Sequence, residues 1–247
     1  MNKLVVAHRG ATQRAHENTL SAFEAAVECG SDMVEFDVRR TGDGALVVHH
    51  DASVGGKLIS ALTLPEAFAC ARAAGFDLPT LEQVLLALRR RIWLDVELKE
   101  EGYEEEVVEL ILDHYPPDGF RVTSFCDASV ARLRRFFPQV KTGLLLGVAS
   151  PKWGAITRIS ELFPGGRQRR SQASFLAPHY RLLKFGFLER AEKMGMELFI
   201  WTVDDASLMD FLLRQRVVAG LITNRPDVAL EVRSRISQAA VGAKGAH

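Results

Sequence analysis

The chain has 247 residues, 47% of them hydrophobic and 25% charged, and its 31 basic and 31 acidic side chains cancel. That balance suits a globular chain long enough to bury a core without disulfides, and nothing in its bulk charge argues for a nucleic-acid or membrane partner. The three cysteines, Cys29, Cys70 and Cys126, are odd in number and far apart, so they read as reduced thiols and not as a disulfide frame or zinc site.

The chain starts Met1-Asn2-Lys3 and then Leu4–Ala7, too few apolar residues for a signal-peptide core. No apolar run approaches the roughly 18 residues of a membrane span. A cytoplasmic location without an integral membrane segment is the expectation. From there short β-rich runs alternate with helical periods. The expected strands are Leu4–His8, Met33–Val38, Ile92–Leu98, Phe120–Ser124, Lys141–Leu146, Ala173–Ala177, Glu197–Val203 and Gly220–Thr223. Most are almost uninterrupted apolar runs, as expected of parallel strands covered on both faces. Between them, Ser21-x-x-Glu24, Thr63-x-x-Glu66 and Thr80-x-x-Gln83 have capping-box spacing, and Pro65 suits a first helical turn. Asp204 is placed to cap a helix over Ala206–Arg214. Gly55-Gly56 and Pro164-Gly165-Gly166 read as loops. Eight strand-then-helix units predict an α/β fold, a (β/α)8 TIM barrel of parallel strands, with a doubly wound open sheet as the alternative. The expected limits are one barrel domain over 1–238 and a frayed tail over 239–247.

Polar residues gather where the early strands end, and that is the face on which barrels build active sites. Strand one ends in Ala7-His8-Arg9-Gly10 and strand two in Val34-Glu35-Phe36-Asp37. The run Ala45–Val48 leads into His49-His50-Asp51, and strand three ends in Asp95-Val96-Glu97-Leu98-Lys99. Glu35 and Asp37 stand two apart in a strand and so share a face. With Glu97 they offer hard oxygen ligands suited to Mg²⁺ or Ca²⁺. The competing reading is that they are solvated or paired with Arg39, Arg40 or Lys99. His8 and His50 can exchange protons near neutrality, which suits phosphodiester cleavage beside a cation. His16, His49, His114 and His179 read as structural. Arg9 and Lys99 supply fixed positive charge for a phosphate, a surface ion pair being the alternative for Arg9. Arg167, Arg169 and Arg170 read as a solvated loop, or else as a lure for anionic substrates.

In order along the chain these segments resemble the glycerophosphodiester phosphodiesterase family. The resemblance is carried by Ala7-His8-Arg9-Gly10, Glu17-Asn18-Thr19-Leu20, Val34-Glu35-Phe36-Asp37, Thr41-Gly42-Asp43-Gly44 and Val47-Val48-His49-His50-Asp51. It continues through Leu78-Pro79-Thr80-Leu81, Val96-Glu97-Leu98-Lys99, Thr123-Ser124-Phe125, Trp201-Thr202-Val203-Asp204 and Gly220 to Asp227. It implies a (β/α)8 barrel of the phospholipase C-like phosphodiesterase type. It also implies one divalent cation, Mg²⁺ or Ca²⁺, and hydrolysis of small-molecule glycerophosphodiesters to glycerol 3-phosphate and an alcohol. Carried over by motif, His8 and His50 are the acid/base pair, and Glu35, Asp37 and Glu97 are the metal ligands. Arg9 and Lys99 meet the phosphate, Glu17 and Asn18 order the first loop, with Glu17 near the substrate, and Trp201 walls the glycerol pocket.

One departure follows Asp51. The family continues with an arginine and a small insertion, whereas this chain runs Ala52-Ser53-Val54-Gly55-Gly56-Lys57 straight toward the Thr63 helix. Lys57 is the candidate replacement for the missing charge. The shorter loop opens two alternatives, a lysophospholipase D-like or cyclising phosphodiesterase. A third, a silent barrel that binds glycerophosphoryl compounds, shares the fold but has no use for an acid/base pair.

Overall fold

The computed structural model describes residues 3–147 and 159–244. Its strands in chain order are β1 (Leu4–His8), β2 (Met33–Arg40), β3 (Leu46–Val48), β4 (Ser53–Val54), β5 (Lys57–Leu58) and β6 (Trp93–Leu98). They continue with β7 (Phe120–Ser124), β8 (Lys141–Leu146), β9 (Phe175–Pro178), β10 (Glu197–Ile200) and β11 (Val218–Thr223). Strands β1, β2 and β6 to β11 pair parallel with their neighbours, and β1 pairs with both β2 and β11, so the sheet closes into an eight-stranded barrel. The open-sheet alternative is thereby set aside. The eight predicted strands all appear, with ends shifted by a few residues.

Alternation along β2 shows how the barrel is filled. Val34, Phe36 and Val38 turn outward into the apolar layer shared with α1 (Leu20–Glu28) and α3 (Leu81–Leu88). Glu35 and Asp37 turn inward with Met33, as period-two geometry requires. Below the carboxylates the interior is closed by Val6, Met33, Leu145, Phe175, Ala177, Phe199 and Ile222. Buried Arg121 lies over the Phe199 ring at 3.4 Å and meets Asp95 at 2.5 Å.

Helix starts correct two expectations. The first helix is capped by Thr19, whose side chain accepts from the Ala22 amide, so Ser21 lies inside it. The helix α8 (Ala206–Leu213) is capped by Asp205, whose carboxylate accepts from the Leu208 amide, and Asp204 is free for other partners. Both shifts have one cause: several short polar residues stand in a row, and the direction of the incoming chain decides which of them meets the open N–H groups. The boxes at Thr63, ahead of α2 (Leu64–Ala73), and at Thr80 form as expected.

Gly165 and Gly166 are helical, opening α6 (Gly165–Ser171) where a loop was expected. The connections α4 (Glu104–Leu112), α5 (Asp127–Phe136) and α7 (Phe187–Lys193) complete the outer layer with α9 (Pro226–Lys244), which runs past residue 238. No helix among the described residues is long and apolar enough to cross a membrane.

Gly143 on β8 tests the interior packing. A Cβ there would lie 2.2 Å from the Phe175 ring, which packs edge-on against Phe199 and beside the Arg121 guanidinium. Gly143→Ala is expected to destabilise the fold by about 1–3 kcal/mol, read from urea unfolding midpoints. An unchanged midpoint would show that the ring has room to shift.

Candidate active site

The first turn after β1 is strained in a way that serves the site. Arg9 and Gly10 both have positive φ, 55° and 90°. A side chain at Gly10 would strike the Ala22 backbone and Cβ at 2.7 Å, so only glycine lets the turn pack on α1. Arg9 adopts a conformation that costs a non-glycine residue free energy. In return its backbone N–H donates to Glu35 Oε2 at 2.9 Å, and its guanidinium bonds both Glu17 oxygens at 3.0 Å.

Strand register brings the carboxylates together. Asp37 on β2 stands beside Glu97 on β6, and Glu35 beside Asp95. One oxygen from each of Glu35, Asp37 and Glu97 lies within 4.8 Å of the others, and all three residues are buried. Lys99 Nζ sits 2.5 Å from Glu97 and 2.8 Å from Asp37. Asp37 also meets Arg9 Nε at 3.3 Å and accepts from the Asn18 amide at 2.8 Å.

Electrostatics divide the three. Burial, reinforced by the charge of Asp37, pushes Glu35 well above the usual carboxylate range. Burial also pushes Glu97 up to about 7, against the pull of Lys99. Asp37 feels the same burial, but Lys99 and Arg9 hold it below the usual range. A cluster of three hard oxygen donors, two of which favour a proton over bare charge, is chemically suited to a divalent cation.

The histidines arrive by different routes. His8 ends β1, with Nε2 4.0 Å from Glu35 Oε2. Its Nδ1 lies 2.8 Å from Asn224 Oδ1, and burial pushes its pKa down to about 4. His50 is delivered by β3, which turns back antiparallel along the end of β2. The Arg39 guanidinium grips the His50 carbonyl at 2.7 and 2.9 Å, and Asp51 Oδ1 lies 2.8 Å from His50 Nδ1. Burial and then Lys99 lower the pKa of His50.

A cavity of about 150 Å³ opens on these groups. Of the nine residues singled out by sequence, His8, Arg9, Glu35, His50, Glu97, Lys99 and Trp201 line it. Asp37 lies 1% exposed behind Lys99 and Arg9, and Glu17 stands outside the lining as the partner of Arg9. The opposite wall is apolar, made by Phe125, Leu145, Ile222 and Trp201. Phe125 meets Trp201 edge-on at 5.8 Å, and the indole N–H donates to the Ala177 carbonyl at 2.6 Å.

Sequence reasoning missed Phe125 as a wall and Asn224 as the partner of His8. It passed over Asp95, although Asp95 is two residues from Glu97 on one strand and must share its face. Two proposals lose support. Lys57 is exposed on the β4–β5 hairpin and is absent from the cavity lining. Of the three arginines offered as a lure, Arg167 and Arg170 are bound to Asp127, and Arg167 also to Glu161, which leaves exposed Arg169 outside these pairs. His16 and His49 stack on Phe76 and His179 packs against Trp201, in keeping with structural roles.

A model of the glycerophosphoryl diester phosphodiesterase family matches residues 8–228. The chain belongs to this family. It is 30% identical to the glycerophosphodiester phosphodiesterase of Caldanaerobacter subterraneus, with 94% of this chain and 98% of that protein covered. Among solved structures, it resembles a glycerophosphodiester phosphodiesterase from Parabacteroides distasonis at TM-score 0.78 and 26% identity, covering 96% of this chain and 98% of the other. It also shares the fold of an Oleispira antarctica phosphodiesterase solved with the product sn-glycerol-3-phosphate. That match has TM-score 0.77 and 24% identity over 93% and 96% of the chains. Membership makes it an enzyme of phosphodiester hydrolysis.

The raised carboxylates set the pH sense of cation binding. Below about 7 Glu97 keeps its proton, and Glu35 is pushed by burial in the same direction, so a cation must compete with protons at both carboxylates. Affinity for Mg²⁺ or Ca²⁺ is therefore expected to rise from about pH 6 to about pH 8, with proton release at the lower pH, as read by calorimetric titration in buffers of different ionisation heat. Affinity independent of pH would refute the coupling.

Proposed function

We propose that the protein hydrolyses glycerophosphodiesters to glycerol 3-phosphate and an alcohol, with one divalent cation, Mg²⁺ or Ca²⁺, held by Glu35, Asp37 and Glu97. The observation that carries this reading is the meeting of two histidines and three clustered carboxylates on one cavity. The bound cation would neutralise charge on the phosphate's non-bridging oxygens. Arg9 and Lys99 orient the phosphate, with Glu17 steadying the Arg9 guanidinium. His8 and His50 act as the acid/base pair, one taking a proton from the nucleophile and the other giving one to the leaving oxygen. Trp201 forms a wall for the glycerol moiety. The product bound in the Oleispira antarctica structure fits such a substrate.

The barrel within 1–238 is the proposed catalytic unit, in a cytoplasmic setting that agrees with the free cysteines Cys29, Cys70 and Cys126. The apolar wall of Phe125, Leu145 and Ile222 supports a second reading for the leaving group, a lysophospholipid in place of a small polar alcohol.

Glycerol 3-phosphate release from glycerophosphocholine should require added Mg²⁺ or Ca²⁺, stop with EDTA and disappear in Glu35→Ala. His8→Ala and His50→Ala should each lose roughly 10²–10⁴-fold in kcat. Release only from lysophospholipids would favour the second reading. Turnover near wild type in both histidine variants would remove the acid/base assignment.

A further inference from the structure

Asp204 lies where strand β10 has ended and the chain runs on beside β11, tied to it by the Val203 N–H donating to the Ile222 carbonyl at 3.0 Å. Its carboxylate makes three short contacts, all with the end of β11. Oδ1 accepts from the Thr223 hydroxyl at 2.9 Å and from the Asn224 backbone N–H at 2.8 Å, and Oδ2 accepts from the Asn224 side-chain amide at 2.8 Å. The other end of that amide, Oδ1, lies 2.8 Å from His8 Nδ1.

This order of groups leaves no freedom. A carboxylate carries acceptors only, so the Asn224 NH₂ must face Asp204. A flipped amide would set oxygen against oxygen. Its carbonyl oxygen must then face His8, and the only hydrogen bond available between them is one that His8 Nδ1–H donates. Asp204 cannot turn away, because two further donors on β11 hold it. We propose that Asp204 and Asn224 are positioning residues that hold His8 in its Nδ1–H tautomer, leaving the Nε2 lone pair directed toward Glu35 and the cavity. This deepens the proposed function and rests on His8 as a proton-transfer group, since a histidine can take a proton only through an unprotonated nitrogen. The second histidine is oriented by a neighbouring carboxylate, Asp51. The two members of the pair thus differ in what stands behind them, a neutral amide for His8 and an anion for His50.

The test uses the full chain labelled with ¹⁵N-histidine in Mg²⁺ buffer, where two-bond ¹H–¹⁵N spectra distinguish the tautomers. The His8 signal is assigned by its loss in His8→Gln. The expected spectrum shows His8 as Nδ1–H. Asn224→Leu should shift it toward Nε2–H and lower kcat roughly 10–100-fold, with KM little changed. Asn224→Asp alone places two carboxylates face to face and should also lose activity. The pair Asn224→Asp with Asp204→Asn reverses the bond between positions 204 and 224 but leaves an acceptor oxygen facing His8 Nδ1–H, and should recover both the spectrum and most of kcat. If Asn224→Leu does not fold, this exchange carries the test. Nε2–H in the wild type, a folded Asn224→Leu with normal kcat, or no recovery in the exchanged pair would each overturn the proposal. Unchanged turnover in His8→Gln would instead sink the acid/base reading, and the tautomer spectrum would then decide the relay by itself.

Discussion

Repulsion among Glu35, Asp37 and Glu97 organises the barrel mouth. Three carboxylates within 4.8 Å of each other and shielded from water repel strongly unless protons or cations stand between them. Lys99 and Arg9 are the two fixed cations, and both reach Asp37, which is why that residue alone of the three is held below the usual carboxylate range. Level with Glu35 in the strand register, Asp95 is answered by Arg121, whose guanidinium lies over the Phe199 ring and near that of Phe175. The charge of Asp95 still adds to the upward push on Glu35, and the strained Arg9 turn makes sense as the geometry that brings a backbone donor to Glu35.

The cavity has two characters because the strands around it differ. β1, β2 and β6 deliver charge, while the far side ends in Phe125, Leu145, Trp201 and Ile222. On the proposed reading the phosphate meets the first wall and a less polar group the second. The return of β3 along β2 adds the last polar member, His50, whose carbonyl is anchored by Arg39. Arg39 in turn pairs with Glu100 at the end of β6, so the second histidine is braced against the strand that carries Glu97.

By itself the sequence determined the strands, their parallel arrangement and most of the polar residues that meet at the cavity. Long apolar runs reveal strands buried on both faces, and a spacing of two fixes Glu35 and Asp37 on one face whatever surrounds them. His8, His50, Glu97 and Lys99 were legible for the same reason, since each stands at the end of such a run. The two capping boxes with separate polar residues were also legible, because a helix start is a local event.

What the tertiary structure alone decided was pairing between distant segments. Thr19 displaced Ser21 as a cap, and Asp205 displaced Asp204, because the approach of the chain selects among adjacent polar residues. Asp204 was then free to reach β11, and Asn224 to reach His8, 216 positions away. No periodicity encodes a contact of that range. It exists because the sheet closes, setting the last strand beside the first, and closure is a property of the whole barrel that no single segment carries.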